Sequence, residues 1–81
     1  MTKSLGWRAF LKQHGFVFKK GFDVAIKYRH DSNDYIMILK DVRPLRFRIQ
    51  VNVEGIHGAF FKREASVIAE KLKEFAKVKL L

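Results

Sequence analysis

Residues 43–55, RPLRFRIQVNVEG, alternate apolar and polar side chains almost without interruption. Leu45, Phe47, Ile49, Val51 and Val53 fall on one side of an extended chain, and Arg46, Arg48, Gln50 and Asn52 on the other. A period of two held this long points to a strand with one face packed and the other open. That requirement constrains every other segment.

Upstream, SLGWRAFLKQHG reads as a short helix. Ser4 can cap it, Trp7, Phe10, Leu11 and His14 keep helical spacing, and Gly15 suits the position past its end. Gly6 weakens this helix by about 1 kcal/mol relative to Ala. FVFKK and FDVAIKYRH are strand material, bent or divided around Gly21. In the second piece Phe22, Val24, Ile26 and Tyr28 share one side, and Asp23, Ala25, Lys27 and Arg29 the other. DSND at 31–34 is a turn by composition. YIMILKDV is apolar on both sides, Tyr35, Met37 and Leu39 against Ile36 and Ile38. Such a strand belongs mid-sheet, or one of its faces meets a partner. DVRP then turns the chain into the alternating strand.

Past Gly55 and Gly58, FKREASVIAEKLKEFAKVKL reads as one long helix. Phe61, Ala65, Ile68, Leu72 and Phe75 form its apolar stripe, which faces the core. Pairs of Glu70 with Lys73 and Glu74 with Lys77 add a few tenths of a kcal/mol each. The expected fold is one α+β domain over residues 1–81. It is a two-layer sandwich in which an N-terminal and a C-terminal helix cover one face of a three- to four-stranded antiparallel sheet, in the order α-β-β-β-α. Arg46, Arg48 and Gln50 are then expected on the uncovered face. Lys27 and Arg29 join them from an adjacent strand, with Ile36 and Ile38 between.

A chain of 81 residues without cysteine has neither disulfides nor thiolate metal ligands to brace it. It buries roughly 60–65% of its unfolded surface, so its eight Phe carry much of the core. No apolar run reaches the length of a membrane span, and the first twelve residues lack the apolar middle of a signal peptide, so a cytoplasmic protein without membrane contact is expected. Net charge is +9, unevenly spread: residues 1–30 hold seven Lys/Arg against Asp23 alone, while residues 31–42 hold three Asp against Lys40. Such an excess attracts polyanions, above all nucleic acid.

Catalysis finds little support. His14, His30 and His57 are scattered singly, no His pair has ligand spacing, and no phosphate-cradling glycine loop is present. A non-catalytic protein with no cofactor and no metal is expected. Binding finds more. Arg can hold phosphate in a bidentate grip, and Gln can read base edges. Lys19 and Lys20 beside Phe18, and Lys62 and Arg63 at the start of the long helix, extend the cationic set. Base stacking carries little weight, because most aromatics fall on sides expected to face inward. The competing explanation for Arg46 and Arg48 is an edge strand guarded by charge.

FRIQVNVEG followed by KREAS resembles the double-stranded RNA-binding domain, over about residues 46–75. In that family a strand ending V-x-V-x-G precedes K-K-x-A-K at the second helix. Val51, Val53 and Gly55 match the strand, and Lys62, Arg63 and Ala65 match the helix start, with Ser66 in place of the third basic residue. The resemblance implies phosphate contacts from Lys62 and Arg63. LKQHGFVFKKGFDVAIKYRH looks like the HicA-type toxin ribonucleases, whose G-S-H motif carries a catalytic histidine. Gly21, Phe22 and Asp23 occupy that stretch, so this resemblance brings no catalytic histidine with it. The same half with YIMILKDVRPLRFRI is similar to phage MotA-type double-wing domains, which implies DNA on the sheet face.

The expected function is that of a small basic non-catalytic protein that binds DNA or RNA, with regulation as one use of that binding. Its contacts are expected mainly with phosphates, and the candidate nucleic-acid-binding residues are Lys19, Lys20, Lys27, Arg29, Arg46, Arg48, Gln50, Lys62 and Arg63. The alternative is a protein-binding or homodimerising module that uses Ile36 and Ile38 on the open sheet face.

Overall fold

The alternating strand lies fourth in a five-stranded sheet of order β1-β2-β3-β4-β5. A computed structural model describes residues 6–29, 33–54 and 58–81. The elements are α1 (Trp7–Gln13), β1 (Val17–Phe18), β2 (Val24–Tyr28), β3 (Tyr35–Val42), β4 (Leu45–Asn52), α2 (Gly58–Leu72) and β5 (Lys77–Leu80). The class is α+β, and the element order is α-β-β-β-β-α-β. Ser4, His30, Asp31, Gly55 and His57 lie outside the described residues.

α1 starts at Gly6, whose carbonyl accepts from the Phe10 amide at 3.0 Å. It ends where expected. Gly15 adopts φ +87°, its N–H donates to the Lys12 carbonyl, and the Phe16 N–H donates to the Leu11 carbonyl. That bond pair closes the helix, and buried Leu11 and Phe16 belong to the same core cluster. β3 and β4 join through Arg43 and Pro44 and pair along their full length, from Val42↔Leu45 to Tyr35↔Asn52. The α2 crossover then returns the chain to pair β5 parallel to β4.

Two expectations need correcting. First, the long helix stops at Leu72, and residues 77–80 form a fifth strand. Lys77, Val78, Lys79 and Leu80 alternate with a period of two, and Val78 pairs with Phe47 on the helix side of the sheet. Phe75 does join the core, with its ring 6.5 Å from Phe10, but from the turn that follows the helix. The Lys73–Glu70 pair forms at 2.8 Å, whereas Glu74 pairs with Lys71 at 3.2 Å because Lys77 has left the helix.

Second, β2 and β3 turn the opposite sides inward from those expected. Residues directly opposite in an antiparallel pair point to the same face. Ile49 faces Ile38, which faces Ala25, and Val51 faces Ile36, which faces Lys27. Since Ile49 is core, the whole row is inward. Ile36 and Ile38, expected on the open face, are 0% and 1% exposed and pack with Ala25, Phe47 and the helices. A single-residue difference in phase moves a strand's entire apolar set across the sheet. β3 is apolar on both sides, so its pattern alone does not choose between them.

The core joins Phe10 and Leu11 of α1, Phe61, Ala65, Ile68, Ala69 and Leu72 of α2, and the inward strand residues. Both helices therefore cover one face. Trp7 closes the layer edge-on against Phe18 at 5.5 Å and Phe47 at 5.4 Å. No helix among the described residues is long and apolar enough to cross a membrane.

Candidate nucleic-acid interface

The pairing registers place the open face in transverse rows. One end row is Tyr28, Tyr35 and Asn52, followed by Val17, Ile26, Met37 and Gln50. Next come Val24, Leu39, Arg48 and Lys79, and the far row is Asp41, Arg46 and Lys77. The face is thus divided lengthwise: β1 to β3 present mainly apolar and aromatic groups, while β4 and β5 present cations and amides.

Arg46, Arg48 and Gln50 lie on this face because Phe47 and Ile49 between them are 1% and 0% exposed. Lys77 and Lys79 stand beside the arginines across the parallel ladder, Arg46↔Lys77 and Arg48↔Lys79, about 4.8 Å away at the backbone. Among the described residues, these four cations have one carboxylate beside them on the face, Asp41 of β3. Its Oδ2 accepts from Nε of Arg46 at 2.8 Å, and its Oδ1 accepts from Nη2 of Arg48 at 2.9 Å. These two bonds, Arg46 first and Arg48 second, hold the Asp41 carboxyl below its ordinary range. Like charges placed opposite one another repel. A single aspartate neutralises one of the four.

The other expected contacts fall elsewhere. Lys27 is on the helix side, where its ammonium pairs with Glu64 of α2 and its stem lies against Gly15. Arg29, just past β2, pairs with the buried carboxylate of Asp34 at 3.4 Å, and Asp34 also accepts from the Glu54 N–H at 3.0 Å. Neither belongs to the open face, because the register that brings Ile36 inward carries Lys27 with it. Lys19 and Lys20 are exposed in the β1–β2 loop, with Nζ of Lys19 5.1 Å from the Phe22 ring centroid. Lys62 and Arg63 are exposed but sit in the second turn of α2, which begins at Gly58 rather than Phe61. The free backbone donors of a helix end belong to its first turn, so these side chains stand about one turn beyond them.

Sequence reasoning missed Lys77 and Lys79, hidden inside an apparent helix, and the outward rings of Tyr28 and Tyr35. The alternation KVKL was the available signal for the lysines. The tyrosine rings lie 5.9 Å apart at 57° across the β2–β3 ladder, and Tyr28 is 63% exposed. Beside them an apolar groove is lined by Gly15, Val17, Phe18, Lys19, Ile26 and Tyr28.

No family model matches the chain, and no curated protein or solved structure matches it significantly. The geometry therefore stands alone. Among the described residues no group of three or more His, Asp or Glu could hold a metal ion. His14 packs its ring 4.6 Å from Phe10 at the end of α1. The open face can bind and orient an extended anion through guanidinium and ammonium groups, and it offers flat apolar surface beside them.

Proposed function

We propose that this protein binds nucleic acid on the open sheet face, mainly through phosphate contacts from Arg46, Arg48, Lys77 and Lys79. The observation that supports this reading is the pairing of two arginines with two lysines across β4 and β5, with Asp41 alone to offset them. Mutual repulsion among the cations is relieved by a polyanion, and the net charge of +9 strengthens the attraction at long range. Lys19, Lys20, Lys62 and Arg63 add to the field from the periphery. Gln50 and Asn52 border the strip and can donate to or accept from bases. Four phosphate contacts correspond to a slope of roughly −3 to −4 in log K against log salt on duplex DNA. Fluorescence anisotropy titrations at several salt concentrations test this directly. Absence of binding to DNA and RNA at low salt would overturn the reading.

A second reading rests on the other half of the face. Val17 is 73% exposed, and Ile26, Met37 and Leu39 are only half-buried, an apolar patch suited to a second copy or another protein. Light scattering of the purified protein tests it. A dimer that Met37→Asp converts to monomer supports this reading, and a monomer at high concentration counts against it.

A further inference from the structure

The nucleic-acid reading leaves the character of the ligand open, and the apolar half of the face bears on it. A duplex presents phosphates to its surroundings and keeps its base faces stacked inside. Such a ligand would engage Arg46, Arg48, Lys77 and Lys79 while leaving Tyr28, Tyr35, Met37 and Leu39 uncovered. A single strand exposes base faces as well as phosphates, and aromatic rings beside a cationic track suit it.

Resting on that reading, we propose that the ligand is single-stranded, with unpaired bases stacked on Tyr28 and Tyr35 and the backbone running diagonally to Arg48 and Lys79. The distances fit. Tyr35 and Leu39 are four residues apart on β3, and Leu39 pairs with Arg48. The aromatic row therefore lies about 13 Å along the strands from the Arg48–Lys79 row, and β3 lies about 10 Å across the sheet from β5. Gln50, paired with Met37, occupies the space between. Asn52 is directly opposite Tyr35, where its amide can reach the edge of a stacked base. The groove bounded by Val17, Ile26 and Tyr28, with Lys19 among its lining residues, continues the apolar surface toward the β1 edge. Ligand polarity then follows from charge complementarity: bases toward β2 and β3, phosphates toward β4 and β5.

The test compares four probes by anisotropy at fixed salt. They are a pyrimidine single strand of about ten nucleotides, in DNA and in RNA form, the corresponding DNA duplex, and an abasic strand with the same phosphates. Tighter binding of the intact single strands, with quenching of tyrosine fluorescence, is expected. Tyr28→Ala with Tyr35→Ala should weaken single-strand binding about 10- to 100-fold and leave duplex and abasic binding unchanged. Tyr28→Phe with Tyr35→Phe should restore it. The abasic probe on the unaltered protein decides the matter even if the alanine variant folds poorly. Equal binding of the abasic and intact strands, or tighter binding of the duplex, overturns this inference and leaves phosphate binding intact. Failure of all four probes to bind at low salt overturns both.

Discussion

Arg48 reaches diagonally across the β3–β4 ladder to Asp41, donating from Nη2 to Oδ1 at 2.9 Å. Arg46, directly opposite Asp41, donates to the other oxygen. The aspartate thus ties both guanidinium groups to one carboxylate and occupies donors that the proposed phosphate contacts would use. Asp41→Asn removes that competitor. The variant should bind single-stranded nucleic acid about fivefold more tightly at low salt, and the gain should shrink as salt is added. Unchanged or weaker binding by anisotropy would show that Asp41 positions the arginines for the ligand rather than competing with it.

The same contacts set a pH dependence. Arg46 and then Arg48 lower the folded-state pKa of Asp41, so the unfolded chain holds that proton more tightly. The stabilisation is complete above the ordinary aspartate range near 4 and disappears as pH falls through the depressed midpoint. Carboxyl-detected NMR titration should find Asp41 still ionised where an ordinary aspartate is half protonated. A midpoint at or above the ordinary value would contradict the geometry.

Lys77 and Lys79 oppose Arg46 and Arg48 at a cost in repulsion. Lys77→Thr with Lys79→Thr should raise stability in urea by roughly 0.2–1 kcal/mol. It should also weaken single-strand binding and flatten the log–log salt slope by about 1.4. An unchanged slope would place the phosphate track elsewhere, with Lys62 and Arg63 next to be tested.

Neighbouring residues on β3 test the face assignment. Ile38→Ala empties a core position and should cost about 2–5 kcal/mol in urea denaturation. Met37→Ala, on the open face, should cost under about 1 kcal/mol. Equal losses would mean that the two faces are not distinguished as described.

A Cβ at Gly58 would lie 2.8 Å from the Val53 Cβ and 2.9 Å from its Cγ2. Rotating Val53 clears only the second contact, so the backbone must shift. Gly58→Ala should therefore destabilise the protein by roughly 1–3 kcal/mol despite alanine's better helix propensity. A more stable variant in urea would show that α2 can move away from Val53 freely.

Much of the fold was legible where a pattern had one solution. Residues 45–53 alternate cleanly, and β4 turns Phe47 and Ile49 inward with Arg46, Arg48 and Gln50 outward. Gly15 marked the end of α1 for a reason that its φ of +87° makes concrete. Legibility failed where two patterns overlapped. β3 is apolar on both sides, so only its pairing with β4 decides that Ile36 and Ile38 are core. β2 inherits the decision, which sends Lys27 to Glu64 and Tyr28 to the open face. In residues 73–80, Phe75 continues a helical stripe while Lys77 to Leu80 alternate. The helical signal was longer and masked the strand. Two of the four cations in the proposed track were hidden by that masking.

β5 is a four-residue edge strand with three exposed side chains and only Val78 half-buried. Segments with so little burial can open locally at a fraction of the global unfolding free energy. Local opening of β5 would carry Lys77 and Lys79 away from Arg46 and Arg48 together, leaving two cations of the proposed track in place. A ligand bound to all four would hold β5 against β4 and, by mass action, slow amide exchange along it. The outermost strand of the sheet thus carries half of the cations of the proposed track on its least buried segment.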